Sequence, residues 1–348
     1  MIELAIPAAD DVIVIGTSAG GLEALRAIVA ALPAGLPAAV LVTMHVGQHD
    51  SLLPSLLAPL TSLPVRHARE GDALEAGRIL VAPPDFHLLV VEQDGARRIS
   101  LSRGPRENHA RPAIDPLFRT AAAVYGARAT GVILTGRLDD GTAGLFAIKA
   151  CGGHAIVQLP ADAVAPEMPL SAIENVDVDQ VLLLDDIAPA LVQRVTQSAL
   201  HGAGRERRVE IAPPEWLQLE IQFVSTGGNI ETLARIATPS TYTCPECHGS
   251  LWQVQGIGPR RYRCHTGHSL TERSLAELQG QLVDEALWSA IRALHEKEKL
   301  LRTMAGNTAG GSHAPAALAR LSQATAAQRS GELLRRLVTG EPLPGSTG

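Results

Sequence analysis

The longest unbroken apolar signal is Asp11-Val-Ile-Val-Ile-Gly-Thr-Ser18, a run of β-branched residues with no polar alternation. Such a run predicts a strand covered on both faces, as in a parallel sheet. It ends in a turn of small residues around Gly16, Ser18, Gly20 and Gly21, and Leu22, Leu25 and Ile28 then recur at helical spacing. The same pattern returns at Ala38–His45, Ala129–Gly136, His154–Gln158 and Val181–Leu184, with shorter strands at Pro64–His67 and Arg78–Pro84. His87–Val91 and Arg98–Ser102 flank an Asp94-Gly95 turn and predict a hairpin, expected as an antiparallel edge. Strand and helix alternating in this way imply a doubly wound, mostly parallel α/β domain, Rossmann-like and three-layered, over residues 5–198.

The pattern changes after that. Residues 199–240 are polar and interrupted by Pro213-Pro214, which predicts a linker. Residues 241–272 hold a Cys/His cluster. Residues 273–340 read as helical, with Leu275, Leu278, Leu282, Leu287, Ile291 and Leu294 at helical spacing and a second helix from Leu318 to Leu337. Residues 341–348 are expected to be a disordered tail.

Composition narrows the class. The hydrophobic share of 46% supplies a core, and 3% aromatics means that Ala, Val, Leu and Ile must fill it. A net charge of −6 gives no general attraction to nucleic acid or anionic lipid. No segment has the length of a membrane span, and the N-terminus lacks the pattern of a signal peptide, so a cytoplasmic protein without membrane insertion is expected. Four clustered cysteines are too few for a disulfide scaffold.

Three of the predicted strands end in reactive residues: Ser18, His45 and Asp140. Strand ends on one carboxyl edge are where open α/β sheets place ligands. A serine there can be a nucleophile, a histidine its base, and a carboxylate the group that orients the imidazole. Each residue alone has a plainer explanation. The glycine-rich turn also suits a phosphate or dinucleotide, His45 suits a polar strand end, and Asp139 or Asp140 suits a cap of the following helix.

Five segments in order resemble the catalytic domain of CheB-type protein-glutamate methylesterases. They are Gly16-Thr-Ser18-Ala-Gly-Gly21, Met44-His45, Ala82-Pro-Pro-Asp85-x-His87-Leu, Arg111-Pro-x-x-Asp115-x-Leu-Phe118 and Leu134-Thr-Gly136-x-x-x-Asp140-Gly141-x-x-Gly144. The resemblance implies a carboxylic ester hydrolase that removes methyl groups from glutamyl esters on methyl-accepting chemotaxis receptors and, in some relatives, deamidates glutamine. It implies Ser18 as nucleophile, His45 as base and Asp140 as the orienting residue, with no cofactor for catalysis. Ala19, Gly136 and Arg137 lie where oxyanion donors are expected, and Arg111 and Asp115 where the receptor or the loop shape is expected to be set. A methyltransferase or other signalling protein is a further implied partner. The chain departs from the family at Ala19, where threonine is usual, and at Arg137-Leu138, where Met-Gly is usual. Leu138 is not expected to reach a glycine-only conformation, and the alternative function is a catalytically impaired adaptor or an interaction protein acting through its zinc module. No receiver domain precedes Asp11, so control by phosphorylation in cis is not expected.

The second constellation is Cys244-x2-Cys247-x16-Cys264-x3-His268. Two knuckles at this separation suit a closed, tetrahedral structural zinc, with His248 and His265 as alternative nitrogen ligands. The module is expected to be zinc-ribbon-like, to fold with its metal, and to leave the esterase independent of it. Arg260-Arg-Tyr-Arg263 would permit nucleic-acid binding, but the neighbouring helix carries both signs of charge, and nucleic acid is not the expected partner. A Cys/His tail of this kind is similar to the extension on some stand-alone methylesterases.

Overall fold

In this computed structural model, residues 8–46, 50–202, 212–256, 258–306 and 314–342 are described. The chain falls into two compact units, Met1–Leu275 and Ala276–Gly348. The expected tail from 343 onward, and residues 203–211 of the expected linker, lie outside the described residues.

The first unit is built on a seven-stranded sheet in the order β3-β4-β2-β1-β7-β8-β9. Its strands are β1 (Asp11–Thr17), β2 (Ala38–Met44), β3 (Val65–His67), β4 (Ile79–Val81), β7 (Ala129–Ile133), β8 (His154–Gln158) and β9 (Gln180–Leu182), all paired in parallel. Every residue of β1 is buried, as a central strand covered on both faces requires. Ile13 and Ile15 pack with α1 (Gly21–Ala31), α2 (Leu53–Leu57) and α6 (Leu184–Gly202). Val12 and Val14 face the other way, toward α3 (Ile114–Tyr125), α4 (Thr142–Ala150) and α5 (Glu167–Asn175). This is the expected three-layer, doubly wound architecture. The chain runs outward from β1 through β2 on one side and through β7 on the other. The carboxyl ends of those three strands therefore surround the crevice where this topology places ligands.

The hairpin of β5 (His87–Gln93) and β6 (Ala96–Ser102) corrects one expectation. It is a separate two-stranded sheet, not an edge of the large one. Its Leu88 and Val90 belong to the core on the α3 side, and the Val90 N–H donates to Thr120 of α3. Apolar residues on one face pull it onto the helix layer in preference to the sheet edge.

The predicted linker is also corrected. It contains α7 (Glu215–Ser225) and α8 (Ile230–Ala234), and β10 (Ala237–Thr243) begins within it. Leu217 and Phe223 of α7 are fully buried. The Cys/His segment is a four-stranded antiparallel sheet of β10, β11 (Ser250–Val254), β12 (Arg261–Cys264) and β13 (Ser269–Thr271). This sheet belongs to the first unit rather than standing apart from it. A buried ion cluster explains why: Glu107 accepts from Arg119 at 2.6 and 2.7 Å and from Arg263 at 3.2 Å. Glu220 of α7 accepts from Arg261 at 2.6 Å and from Arg263 at 2.9 Å. Arg261 and Arg263, expected as a candidate nucleic-acid patch, are thus spent on internal carboxylates, and Arg260 pairs with Glu272. The second unit holds most of α9 (Glu272–Gly306) and all of α10 (Ala314–Thr339), which are the two helices expected over 273–340.

Candidate active site and candidate metal centre

Ser18 follows β1 in the turn that leads to α1. The turn is tied to the end of β7, because the Ser18 N–H donates to the Thr135 carbonyl at 3.0 Å and the Thr135 hydroxyl donates to the Ala19 carbonyl at 2.8 Å. Gly16 has to be glycine for a packing reason: a Cβ there would sit 2.3 Å from Ile114 at the start of α3. His45 follows β2, and its Nδ1 lies 3.1 Å from the Ser18 hydroxyl. Its Nε2 lies 2.7 Å from Oδ2 of Asp140, in the loop after β7. Three residues spaced across 122 positions therefore form one hydrogen-bonded line. With Nε2–H donating to the carboxylate, the Nδ1 lone pair faces the serine hydroxyl, as a general base requires.

Asp140 is 2% exposed, and its charge is supported from several directions. Besides His45, its oxygens accept from the N–H groups of Ile114 (2.6 Å), Asp115 (3.3 Å) and Gly141 (3.0 Å), and from the Asn108 amide (2.9 Å). Burial opposes ionisation, but the His45 hydrogen bond and charge, with the Ile114 N–H and Asn108, hold its carboxyl below the usual range. Two of its donors are the free N–H groups of the first turn of α3, so Asp140 sits at the positive end of that helix dipole. The cap reading for Asp140 thus applies to α3, on a distant segment, as well as to the turn before α4.

The other expected site residues are placed differently. Asp115 is 2% exposed and accepts from the Gly144 N–H at 2.6 Å and from Asn108 at 3.1 Å. A Cβ at Gly144 would come within 3.1 Å of the Asp115 backbone, so glycine permits this contact. Burial, and then the charge on Asp140, push the Asp115 carboxyl up to about 7. Its contacts are with these interior donors. Arg111 forks onto Asp85 at 2.6 and 2.9 Å and donates to the carbonyls of Arg103 and Gly104. It pins its own loop, which is the salt-bridge alternative to receptor contact. The Gly136 N–H donates to the Ala165 carbonyl at 2.9 Å, so it is committed elsewhere and is not an oxyanion donor in this arrangement. Leu138 adopts φ 60°, against expectation, with its N–H donating to Glu167 at 2.7 Å. A left-handed leucine costs about 1–2 kcal/mol but is not forbidden.

Asn108 and His87 carry parts of the site to which sequence reasoning gave no role. His87 is fully buried, accepts from the Ala113 N–H and lies 3.0 Å from the Pro105 carbonyl; burial holds its pKa down. The signal for it was its place in the Ala82–Leu88 segment. Asn108 had no such signal.

At the second constellation, Cys244, Cys247, Cys264 and His268 offer ligand atoms all within 4.8 Å of one another. The Cys247 and Cys264 sulfurs are 3.7 Å apart, and His268 Nδ1 lies 3.5 Å from Cys264 and 3.8 Å from Cys244. A tetrahedron with ordinary zinc–sulfur and zinc–nitrogen bonds has edges of about 3.5–3.8 Å. The donor set therefore fits a four-coordinate soft metal, with His268 as the nitrogen ligand rather than His248 or His265. None of the four cysteines is in a disulfide.

Comparison with known proteins follows the same division of the chain. The profile of the CheB methylesterase family matches residues 13–191. A Leptospira interrogans protein provisionally named protein-glutamate methylesterase/protein-glutamine glutaminase is 41% identical over 184 residues, covering 53% of this chain and 94% of its own. The protein-glutamate methylesterase/protein-glutamine glutaminase of Moorella thermoacetica is 42% identical over 188 residues, covering 53% of this chain and 44% of its own. The crystal structure of the Thermotoga maritima CheB methylesterase catalytic domain superposes with a TM-score of 0.50 at 34% identity, covering 53% of this chain and 98% of that one. Among the described residues, no helix is long and apolar enough to cross a membrane.

Proposed function

The chain belongs to the CheB methylesterase family, and from that premise we propose that it is a serine hydrolase acting on glutamyl methyl esters of chemoreceptors. The observation that carries this reading is the continuous line from Ser18 through His45 to Asp140. Ser18 attacks the ester carbonyl while His45 Nδ1 takes its proton. Asp140 fixes the tautomer and steadies the imidazolium. His45 then passes the proton to departing methoxide, and water, deprotonated by His45, releases the glutamate from Ser18. A glutamine side chain would follow the same course with ammonia leaving, which agrees with the double name of the relatives. The backbone N–H groups of Ala19 and Arg137 are the proposed oxyanion donors, each worth ~2.7–4 kcal/mol in such sites.

Cys244, Cys247, Cys264 and His268 are proposed to hold a structural zinc. Four protein ligands leave no open position, so the metal closes the two knuckles and takes no part in ester chemistry. The cytoplasm is the proposed location, because the receptor glutamates of this pathway and free thiolates both belong there. A chemotaxis methyltransferase or another signalling protein is a proposed further partner. Methanol release from a methylated receptor tests the enzymatic reading: the native chain releases methanol and Ser18→Ala does not. Equal release by both would refute a serine hydrolase, and release by neither would favour an adaptor.

A further inference from the structure

We propose that the Cys/His module is a support for the catalytic carboxylate, so that its metal-loaded form positions Asp140 through Asn108 and Asp139. This rests on the role given to Asp140 above and adds a dependence of that role on a site more than 100 residues away in sequence.

The chain passes directly from ligand His268 into β13, Ser269–Thr271. The Ser269 carbonyl accepts from the Asn108 N–H at 2.8 Å, and the Thr271 N–H donates to the Asn108 side-chain oxygen at 3.0 Å. The amide of that same side chain donates to Asp140 and Asp115. Asn108 is thus clamped on one side by the strand leaving the knuckle and delivers its two N–H groups to the site on the other. A second arm reaches the neighbouring residue: the Thr271 hydroxyl donates to Asp139 at 2.6 Å and the Ser274 hydroxyl at 3.2 Å. The first knuckle grips the same loop from its far side, since Glu246, between ligands Cys244 and Cys247, pairs with His109 and lies 3.7 Å from Arg106.

The gripped stretch is left-handed: Asn108 sits at φ 50° beside His109 at φ 63°, a region that Asn and His adopt more readily than most non-glycine residues. Asn108, Asp139, Thr271 and Ser274 are all buried, so water cannot replace a lost partner. The two knuckles contribute few large apolar side chains of their own. Bringing their four ligands to one metal is what fixes the start of β13 against the loop.

Asn108 and Thr271 are positioning residues, and the test therefore separates positioning from folding and from chemistry. The full chain is assayed on a small soluble methyl ester, as isolated, after chelation, and after zinc return, with metal content measured on each sample. Thr271→Val and Thr271→Ser are assayed at full zinc content, and zinc affinity is measured for each by competition with a chromophoric chelator. Chelation is expected to lower kcat at least tenfold with KM little changed, and zinc to restore it. Thr271→Val is expected to lower kcat by a similar factor without changing KM, and Thr271→Ser to recover it. Because coupling is reciprocal, Thr271→Val should also bind zinc several-fold more weakly. In Asp140→Asn, chelation should add no further loss, since the support no longer has a carboxylate to hold.

A zinc-free chain with native kcat, or Thr271→Val with native kcat and zinc affinity, would overturn the inference. If Ser18→Ala is inactive in either event, the hydrolase reading stands and only the support role falls. If Ser18→Ala remains active, the fault lies in the hydrolase reading itself.

Discussion

Two buried carboxylate pairs lie close together in the first unit, and they are handled in opposite ways. Glu107 and Glu220 are met by three arginines, Arg119, Arg261 and Arg263. Burial opposes their charge, yet these cations hold Glu107 low and Glu220 down to about 2. Asp115 and Asp140 are equally buried but have backbone N–H groups and one asparagine in place of arginines. There only Asp140, facing His45, is held low, while Asp115 is pushed up to about 7. The difference is one of use. A fully neutralised pair joins segments and is silent toward chemistry. A pair supported by neutral donors leaves one negative charge to act on an imidazole.

Substitutions in the two clusters should therefore fail in different assays. The largest effect is expected at the active site: His45→Ala should lower kcat by about 10⁴-fold or more, with an unfolding midpoint near that of the native chain because His45 is partly exposed. Steady-state kinetics and urea unfolding on one preparation check this. Next comes the ion cluster. Glu220→Gln leaves arginine charge buried without its partner and should cost about 3–5 kcal/mol of stability, read as a fall in the urea midpoint. A Glu220→Gln chain that unfolds at the native midpoint would remove the contrast.

The pH dependence sharpens it. Asp115 has a folded pKa raised above its unfolded value near 3.8. Its contribution to stability is complete below pH 4 and is lost as pH rises through about 7. Glu220 has the opposite sign: its contribution is present above its unfolded value near 4.5 and is lost as pH falls toward about 2. Urea midpoints between pH 4 and 8 should fall less steeply with rising pH in Asp115→Asn than in the native chain. An unchanged slope would place the proton elsewhere. The smallest effect is at Leu138, where Leu138→Gly relieves a left-handed leucine and should raise stability by no more than about 1 kcal/mol, the flexibility of glycine in the unfolded chain offsetting part of the gain.

The sequence made the sheet and the reactive strand ends legible for a local reason. Parallel strands buried on both faces are continuous apolar runs, and Ser18, His45 and Asp140 stand just beyond three of them. The knuckle cysteines were legible through their spacing. What escaped was long-range pairing among ordinary polar residues. Glu107 and Arg263 lie 156 positions apart, and Asn108 and Thr271 lie 163 apart, with no periodicity to connect them. α7 escaped because its apolar residues, from Trp216 to Val224, are crowded by alternating Gln and Glu behind two prolines. The buried Leu217, Glu220, Phe223 and Val224 nevertheless follow helical spacing. The expectation of an esterase independent of its Cys/His tail was formed without these pairs, and the chelation experiment tests it.

The central claim is that Ser18 carries the acyl group. An activated ester that acylates quickly and deacylates slowly tests it: intact-protein mass should rise by one acyl group, and peptide mapping should place the group on the segment containing Ser18. His45→Ala should show no adduct over the same time. An acyl group found on another residue, or steady turnover by a chain that never carries one, would contradict the account.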